Sequence, residues 1–187
     1  ERIVALGAEK TRVHSTGNMK LDLVDAGDAI SMSELGLPPQ IRLWVAGSTH
    51  PGKEKEILEV YADLRRQYPD LYLLLAPRHI ERCDYLSGMI RQRGWHVIPF
   101  SRLPVPDPVR GVCPVIVLDT IGQLKRIYSL AEVVFVGKSL RGKGGQNIIE
   151  PAFYGKPIVV GPHTENFRSV MEIFLRREAI IQVEDTS

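Results

Sequence analysis

The chain has 187 residues and a mass of 21.0 kDa, with 44% hydrophobic and 25% charged residues. That is enough for one buried core, and the composition excludes disordered, collagen-like and coiled-coil classes. The 24 basic and 22 acidic residues leave a net charge of +2, too small to indicate a nucleic-acid partner. No apolar run approaches the roughly 18 residues that a membrane-spanning helix needs. Two cysteines, Cys83 and Cys113, without CxxC spacing, suggest neither a disulfide framework nor zinc, and a reducing compartment follows.

The chain opens at Glu1 without a signal-peptide layout and closes on Asp185-Thr186-Ser187, residues suited to cap a further helix; it reads as a fragment. Ahead of residue 41 the patterning is weak. It gives a short helix at 1–6, a strand around 12–15, a polar turn at Gly17-Asn18 and a Gly/Ser/Pro connection at 27–39. Residues 1–40 are therefore expected to be an interdomain linker and lead-in, and residues 41–187 a Rossmann-like domain.

From residue 41 onward, short apolar runs alternate with stretches of helical period, the pattern of βαβ units and a parallel sheet. Strands are expected at 41–46, 71–76, 95–100, 115–118, 132–136, 157–160 and 179–183. Helices are expected at 53–68, with Ile57, Val60, Tyr61 and Leu64 on one face, at 80–93, at 121–130, from near Asn147, and at 165–177. The run 71–76 is apolar at every position, as a strand covered on both faces requires. Between 101 and 114, four prolines mark an irregular connection. The fold class is α/β, a doubly wound parallel sheet.

In such a sheet the ligand sits beyond the carboxyl ends of the strands. After the first strand comes Gly47-Ser48-Thr49-His50-Pro51-Gly52, either an anion-binding turn or a plain helix cap. After the second, Pro77-Arg78-His79 places an arginine either into the cleft against a phosphate or on the surface. After the fourth, Asp119-Thr120-Ile121-Gly122-Gln123 allows close backbone approach at Gly122, while Asp119 or Thr120 could simply cap the helix. After the fifth, the stretch from Gly137 to Pro151 carries four glycines and three basic residues ahead of a helix. There Asn147 can cap and Glu150 is either a ligand contact or the far member of a capping box.

Two phosphate motifs fail. Gly137-Lys138-Ser139 resembles the end of a P-loop, but Glu132 stands where that motif needs glycine. The first turn lacks the middle glycine of a GxGxxG dinucleotide fingerprint. His50, His79 and His163 show no metal-ligand spacing, so no metal is expected.

Five motifs in order resemble the 3-deoxy-D-manno-oct-2-ulosonic acid (Kdo) transferases of lipopolysaccharide synthesis. They are Gly17-Asn18-Met19-Lys20, the Gly47-Ser48-Thr49-His50 turn, Pro77-Arg78-His79, Asp119-Thr120-Ile121-Gly122-Gln123-Leu124, and Gly144-Gly145-Gln146-Asn147-Ile148-Ile149-Glu150-Pro151 followed by Gly161-Pro162-His163. The resemblance implies the C-terminal, donor-binding half of a GT-B glycosyltransferase, with the N-terminal acceptor domain absent from this chain. It implies CMP, from the donor CMP-Kdo, bound by Pro77 and Arg78, by Ile121, Gly122 and Gln123, and by Asn147, Ile148, Ile149 and Glu150. In those roles Arg78 faces the phosphate, Gly122 offers backbone groups and Glu150 accepts from the ribose. Ser48, Lys138, Ser139, Gly144 and Gly145 are further candidates for donor contact.

Gln123, Gln146 and Lys138 depart from a common Glu, His and Gly of that family. The implied reaction is an inverting, metal-independent transfer of Kdo to a lipid A precursor (lipid IVA), with no cofactor. Its general base lies in the N-terminal domain, so this chain alone should be inactive. The implied location is the cytoplasmic face of the bacterial inner membrane, reached only by the full-length protein, with no nucleic-acid partner and with this domain itself soluble. Competing readings are another GT-B enzyme, a UDP-sugar transferase or epimerase, and a non-catalytic nucleotide-binding module.

Overall fold

The computed structural model describes residues 2–14, 29–104, 113–140 and 144–185. Seven strands form one sheet: β1 (Arg42–Thr49), β2 (Leu71–Pro77), β3 (Val97–Pro99), β4 (Val115–Val117), β5 (Val133–Val136), β6 (Ile158–Val160) and β7 (Ile181–Gln182). Their order is β3-β4-β2-β1-β5-β6-β7, and every pairing is parallel. This is the expected doubly wound, Rossmann-like α/β architecture.

The helices are α1 (Arg2–Ala5), α2 (Glu54–Gln67), α3 (Cys83–Gln92), α4 (Leu124–Ile127), α5 (Ile149–Phe153) and α6 (Arg168–Arg176). Helices α3 and α6 are entered through 3₁₀ turns at Ile80–Arg82 and Glu165–Phe167, and α4 leaves through another at Tyr128–Leu130. Such tight turns satisfy end groups that a regular helix leaves unpaired. They account for most of the length by which the α-helices fall short of the stretches expected at 80–93, 121–130 and 165–177.

The central strands follow directly from their sequence. Leu71 to Ala76, six of the seven residues of β2, are all buried, because helices or chain cover both faces. Alternation then sorts the side chains. Leu43, Val45, Leu74, Ile116, Val134 and Val136 share one core cluster, and Ala46, Leu73, Leu75, Val115, Val117 and Phe135 the other. Helix α2 packs Ile57, Leu58 and Tyr61 onto the second face. The Tyr61 ring meets Trp95 edge-on at 5.5 Å, and its hydroxyl donates to the Leu71 carbonyl at 3.0 Å.

The edges and the amino-terminal stretch differ from expectation. Strand β3, at one edge, keeps only three of the residues expected at 95–100, and β7, at the other, two of those at 179–183. In contrast β1 runs on through Gly47-Ser48-Thr49, beyond the expected stop at 46, with its register to β2 shifting between Gly47 and Thr49. No strand forms near residue 12: Lys10–Arg12 is a 3₁₀ turn, with Val13 and His14 outside any regular element. Leu35 and Leu37 are buried in the first core cluster, with Ile30 and Met32 packed against it, so the packed body begins ahead of residue 41. The Gly17-Asn18-Met19-Lys20 motif and the turn within it, Ser15, and residues 27–28, 105–112, 141–143 and 186–187 lie outside the described residues.

Candidate functional site

After β1 the chain winds toward β2 and β3; after β4 it returns across the sheet to place β5 on the other side of β1. The switch point therefore lies at the carboxyl ends of β1 and β5, where an open sheet binds its ligand. Three glycines lie near the carboxyl ends of β1, β5 and β6, and each lets another part of the chain pass close. A Cβ on Gly47 would strike the Tyr128 hydroxyl, one on Gly137 the backbone of Ser48 and Thr49, and one on Gly161 the backbone of Ser139 and Leu140.

Beside the switch point lies a cleft of about 290 Å³, at the small end of the range for small-molecule sites. Ser48, Pro77, Arg78, Ile121 and Gly122 line it together with Thr120, so three separate strand-end segments converge. The Arg78 amide donates to the Thr49 carbonyl at 2.9 Å, joining the β1 and β2 ends, while its side chain is exposed. Gly122 has φ +84° and open space around it, in a turn where Ile121 is 84% exposed. Gln123 stands just outside the cleft lining at the start of α4, its carbonyl accepting from the Ile127 amide at 3.1 Å. A larger cleft of about 400 Å³ opens over the sheet face beside α2, but its walls are chiefly apolar side chains such as Trp44, Leu64 and Phe135, and no strand-end motif enters it.

The capping alternatives resolve differently from what local spacing suggests. Asp119 does not cap α4; its two oxygens accept from the Ser101 amide at 2.8 Å and the Ser101 hydroxyl at 2.6 Å. Helix α4 begins with no side-chain cap. Asn147 Oδ1 accepts from the Ile149 amide and Asn147 Nδ2 donates to Glu150 Oε1, each at 3.0 Å. This is a side-chain pair across a turn rather than a capping box, because the helix begins at Ile149 and puts Glu150 too early for the box. Glu150 also acts on Tyr128: burial, and secondarily the Glu150 charge, pushes that phenol far above its ordinary range. The Tyr128 hydroxyl lies against Gly47, so the charge of Glu150 is felt at the switch point.

The remaining candidates separate into open and closed. Lys138 is half-buried with φ 58°, a left-handed conformation that glycine adopts without strain. Ile148 and Ile149 have their side chains in the core, leaving only backbone for a ligand. Ser139 is closed: its hydroxyl is buried, donates to the Val136 carbonyl at 2.6 Å and accepts from the Gly161 amide at 2.8 Å. Gly144 and Gly145 are buried, with φ +115° and +67°, and the Gly144 amide donates to Glu165 Oε2 at 2.7 Å. That bond, with His163 at 3.5 Å as a lesser contribution, holds the Glu165 carboxyl below its usual range.

Sequence reasoning read Thr120 only as a possible helix cap, whereas its Oγ1 is buried without a partner among the described residues, and it missed Glu54, which is fully buried. Glu54 had a signal: it lies on the helical stripe of Ile57, Leu58 and Tyr61, three positions ahead of Ile57. No group of three or more His, Cys, Asp or Glu able to hold a metal occurs among the described residues.

The chain has relatives among known proteins. It is 32% identical to a 3-deoxy-D-manno-octulosonic acid transferase of Haemophilus influenzae over 100% of this chain and 44% of that protein. It is 31% identical to the corresponding transferase of Aquifex aeolicus over 95% of this chain and 45% of that protein. Among solved structures, it matches the C-terminal CMP-Kdo binding domain of WaaA from Acinetobacter baumannii with a TM-score of 0.70 and 30% identity, covering 78% of this chain and 75% of that domain. The chain belongs to the Kdo transferase family. It spans less than half the length of these curated Kdo transferases, and its Rossmann-like sheet matches the GT-B glycosyltransferase domain of WaaA. A glycosyltransferase from Rickettsia africae, at 12% identity and TM-score 0.53, shares the fold alone. No protein-family model matches the sequence.

Proposed function

We propose that the chain is the donor-binding domain of an inverting, metal-independent Kdo transferase, holding the CMP part of CMP-Kdo at the carboxyl edge of its sheet. The observation that carries this reading is the match to the CMP-Kdo binding domain of WaaA, with the Pro77-Arg78 and Ile121-Gly122 segments meeting in one cleft. Arg78, exposed at the cleft, supplies the cation for the phosphate through charge-assisted bonds. The backbone around Gly122 approaches the nucleotide because no side chain intervenes. Glu150, with Oε1 tied to Asn147, turns its other oxygen to the ribose hydroxyls.

The acceptor is a lipid A precursor, and its hydroxyl attacks the anomeric carbon of Kdo as CMP departs. A general base must take the hydroxyl proton, and it comes from the N-terminal part of the enzyme that the longer relatives contain. The residues ahead of Ile30 lead from that part into this domain. The full-length enzyme works at the cytoplasmic face of the inner membrane; no helix among the described residues is long and apolar enough to cross a bilayer.

Titration of the protein with CMP, UDP and inorganic phosphate, followed by amide NMR, tests the reading. CMP should bind more tightly than UDP and perturb Arg78, Ile121, Gly122 and Glu150. Preference for UDP would move the chain to a UDP-sugar enzyme, and perturbation confined to the apolar cleft beside α2 would overturn the site.

A further inference from the structure

Glu54 is the first residue of α2 and its side chain is 1% exposed. Its Oε2 accepts from Arg82 Nη2 at 3.3 Å; its Oε1 has no partner among the described residues. A carboxylate taken out of water is costly unless paired, so its presence on an otherwise apolar helical stripe calls for a role. The pair joins the start of α2 to the 3₁₀ turn Ile80–Arg82. Arg78 lies between that turn and β2. Its own amide is tied to the Thr49 carbonyl at 2.9 Å, and the Arg82 amide closes onto the His79 carbonyl at 3.1 Å. The segment bearing Arg78 is thus pinned at its start by β1 and at its end by Glu54.

We propose that Glu54 is a positioning residue: through its buried ion pair with Arg82 it fixes the segment that presents Arg78 to the donor phosphate. This deepens the nucleotide-site reading and rests on it. The Arg82 side chain is 23% exposed, so the pair links the cleft's rim to the interior, and a long flexible arginine at position 78 has its backbone origin set by a group that never touches the ligand. Pre-ordering of this kind lowers the entropy lost on binding.

A double-mutant cycle tests it with CMP as the probe. Glu54→Gln keeps the size and an acceptor oxygen but removes the charge. It should weaken CMP binding about five- to tenfold in the protein carrying Arg78, and less than twofold in an Arg78→Ala background, since coupled residues depart from additivity. Arg82→Gln should reproduce the loss and Arg82→Lys should recover most of it; these two variants carry the test should Glu54→Gln not fold. Equal losses in both backgrounds, or unchanged CMP affinity in folded Glu54→Gln, would overturn the proposal. If the unsubstituted protein binds no CMP, the nucleotide reading itself has failed, and the positioning claim is then decided by Arg78 alone. Its Nε–H signal should lose order in Glu54→Gln, and an unchanged order parameter refutes the claim.

Discussion

At the β5 and β6 ends, Ser139, Gly144, Asn147 and Glu165 all have partners within the protein. At the β1, β2 and β4 ends, Arg78 is exposed at a cleft, and the Thr49 and Thr120 hydroxyls are buried without a partner among the described residues. Both regions are rich in glycine and hydroxyl residues and look alike as text. One is a piece of architecture in which chain segments cross at near contact; the other is an opening. Glycine density therefore marks two different things. Gly137 and Gly161 make room for protein backbone, whereas Gly122 leaves room for something else.

The largest expected effect breaks the closed half. Gly161→Ala would drive a methyl group into the Ser139 and Leu140 backbone, and rigid backbone cannot swing aside as a side chain can. We expect a loss of about 3 kcal/mol or more, seen as a lowered denaturation midpoint. Gly122→Ala meets open space and has only the left-handed backbone to oppose it, a cost of roughly 1–2 kcal/mol. Equal losses at the two positions would erase the distinction between the halves.

A crossed pair of substitutions sharpens the comparison. Arg78→Ala should weaken CMP binding by about 1.5–3 kcal/mol and leave thermal stability within about 0.5 kcal/mol, because the side chain is exposed. Ser139→Ala should do the reverse. Leaving the Gly161 amide without its acceptor should cost about 1–3 kcal/mol of stability, with little change in CMP affinity once the protein is folded. Denaturation and calorimetric titration on the same samples give both quantities.

The sheet and its central strands were legible because their signals are local. An unbroken apolar run gave β2, and the alternation of strand and helix periods gave the parallel topology. Partners distant in sequence were not legible. Asp119 spaces correctly as a helix cap, yet it bonds Ser101, 18 residues back in the chain. Ser139 reads as a loop hydroxyl free for a ligand, and only the approach of β6 shows that Gly161 claims it. Glu54 was legible in principle, as a charge on an apolar stripe, but its partner Arg82 lies across another element. For the site, the sequence named a set of strand ends; it could not tell which of them the protein's own groups fill.

Glu150 belongs to neither half outright: its Oε1 is tied to Asn147, while its charge acts on Tyr128 at the switch point. Glu150→Gln should weaken CMP more than inorganic phosphate, by about 0.5–1.5 kcal/mol, if its second oxygen serves a ribose. Equal weakening of both ligands in parallel titrations would place Glu150 wholly in the closed half.

The smallest effect concerns the Glu165 clamp on the glycine loop. The Gly144 amide is the leading cause of its lowered carboxyl pKa, ahead of the contribution from His163. Because the folded value lies below the unfolded one, the clamp's contribution is fully present above the unfolded glutamate value, about 4.3. It is lost as pH falls through the lower folded value. The carboxylate is open to solvent, so screening keeps the effect modest, and the readout should be local: the Gly144 amide proton shift titrates with Glu165. Its midpoint should fall below the ordinary glutamate value, and Glu165→Gln should abolish the titration while the Arg78 side of the cleft is unmoved. A midpoint at or above about 4.3 would mean that the clamp does not hold in solution. The glycine loop would then open at neutral pH, and the closed half would have to be counted with the open one as a surface free to meet the donor.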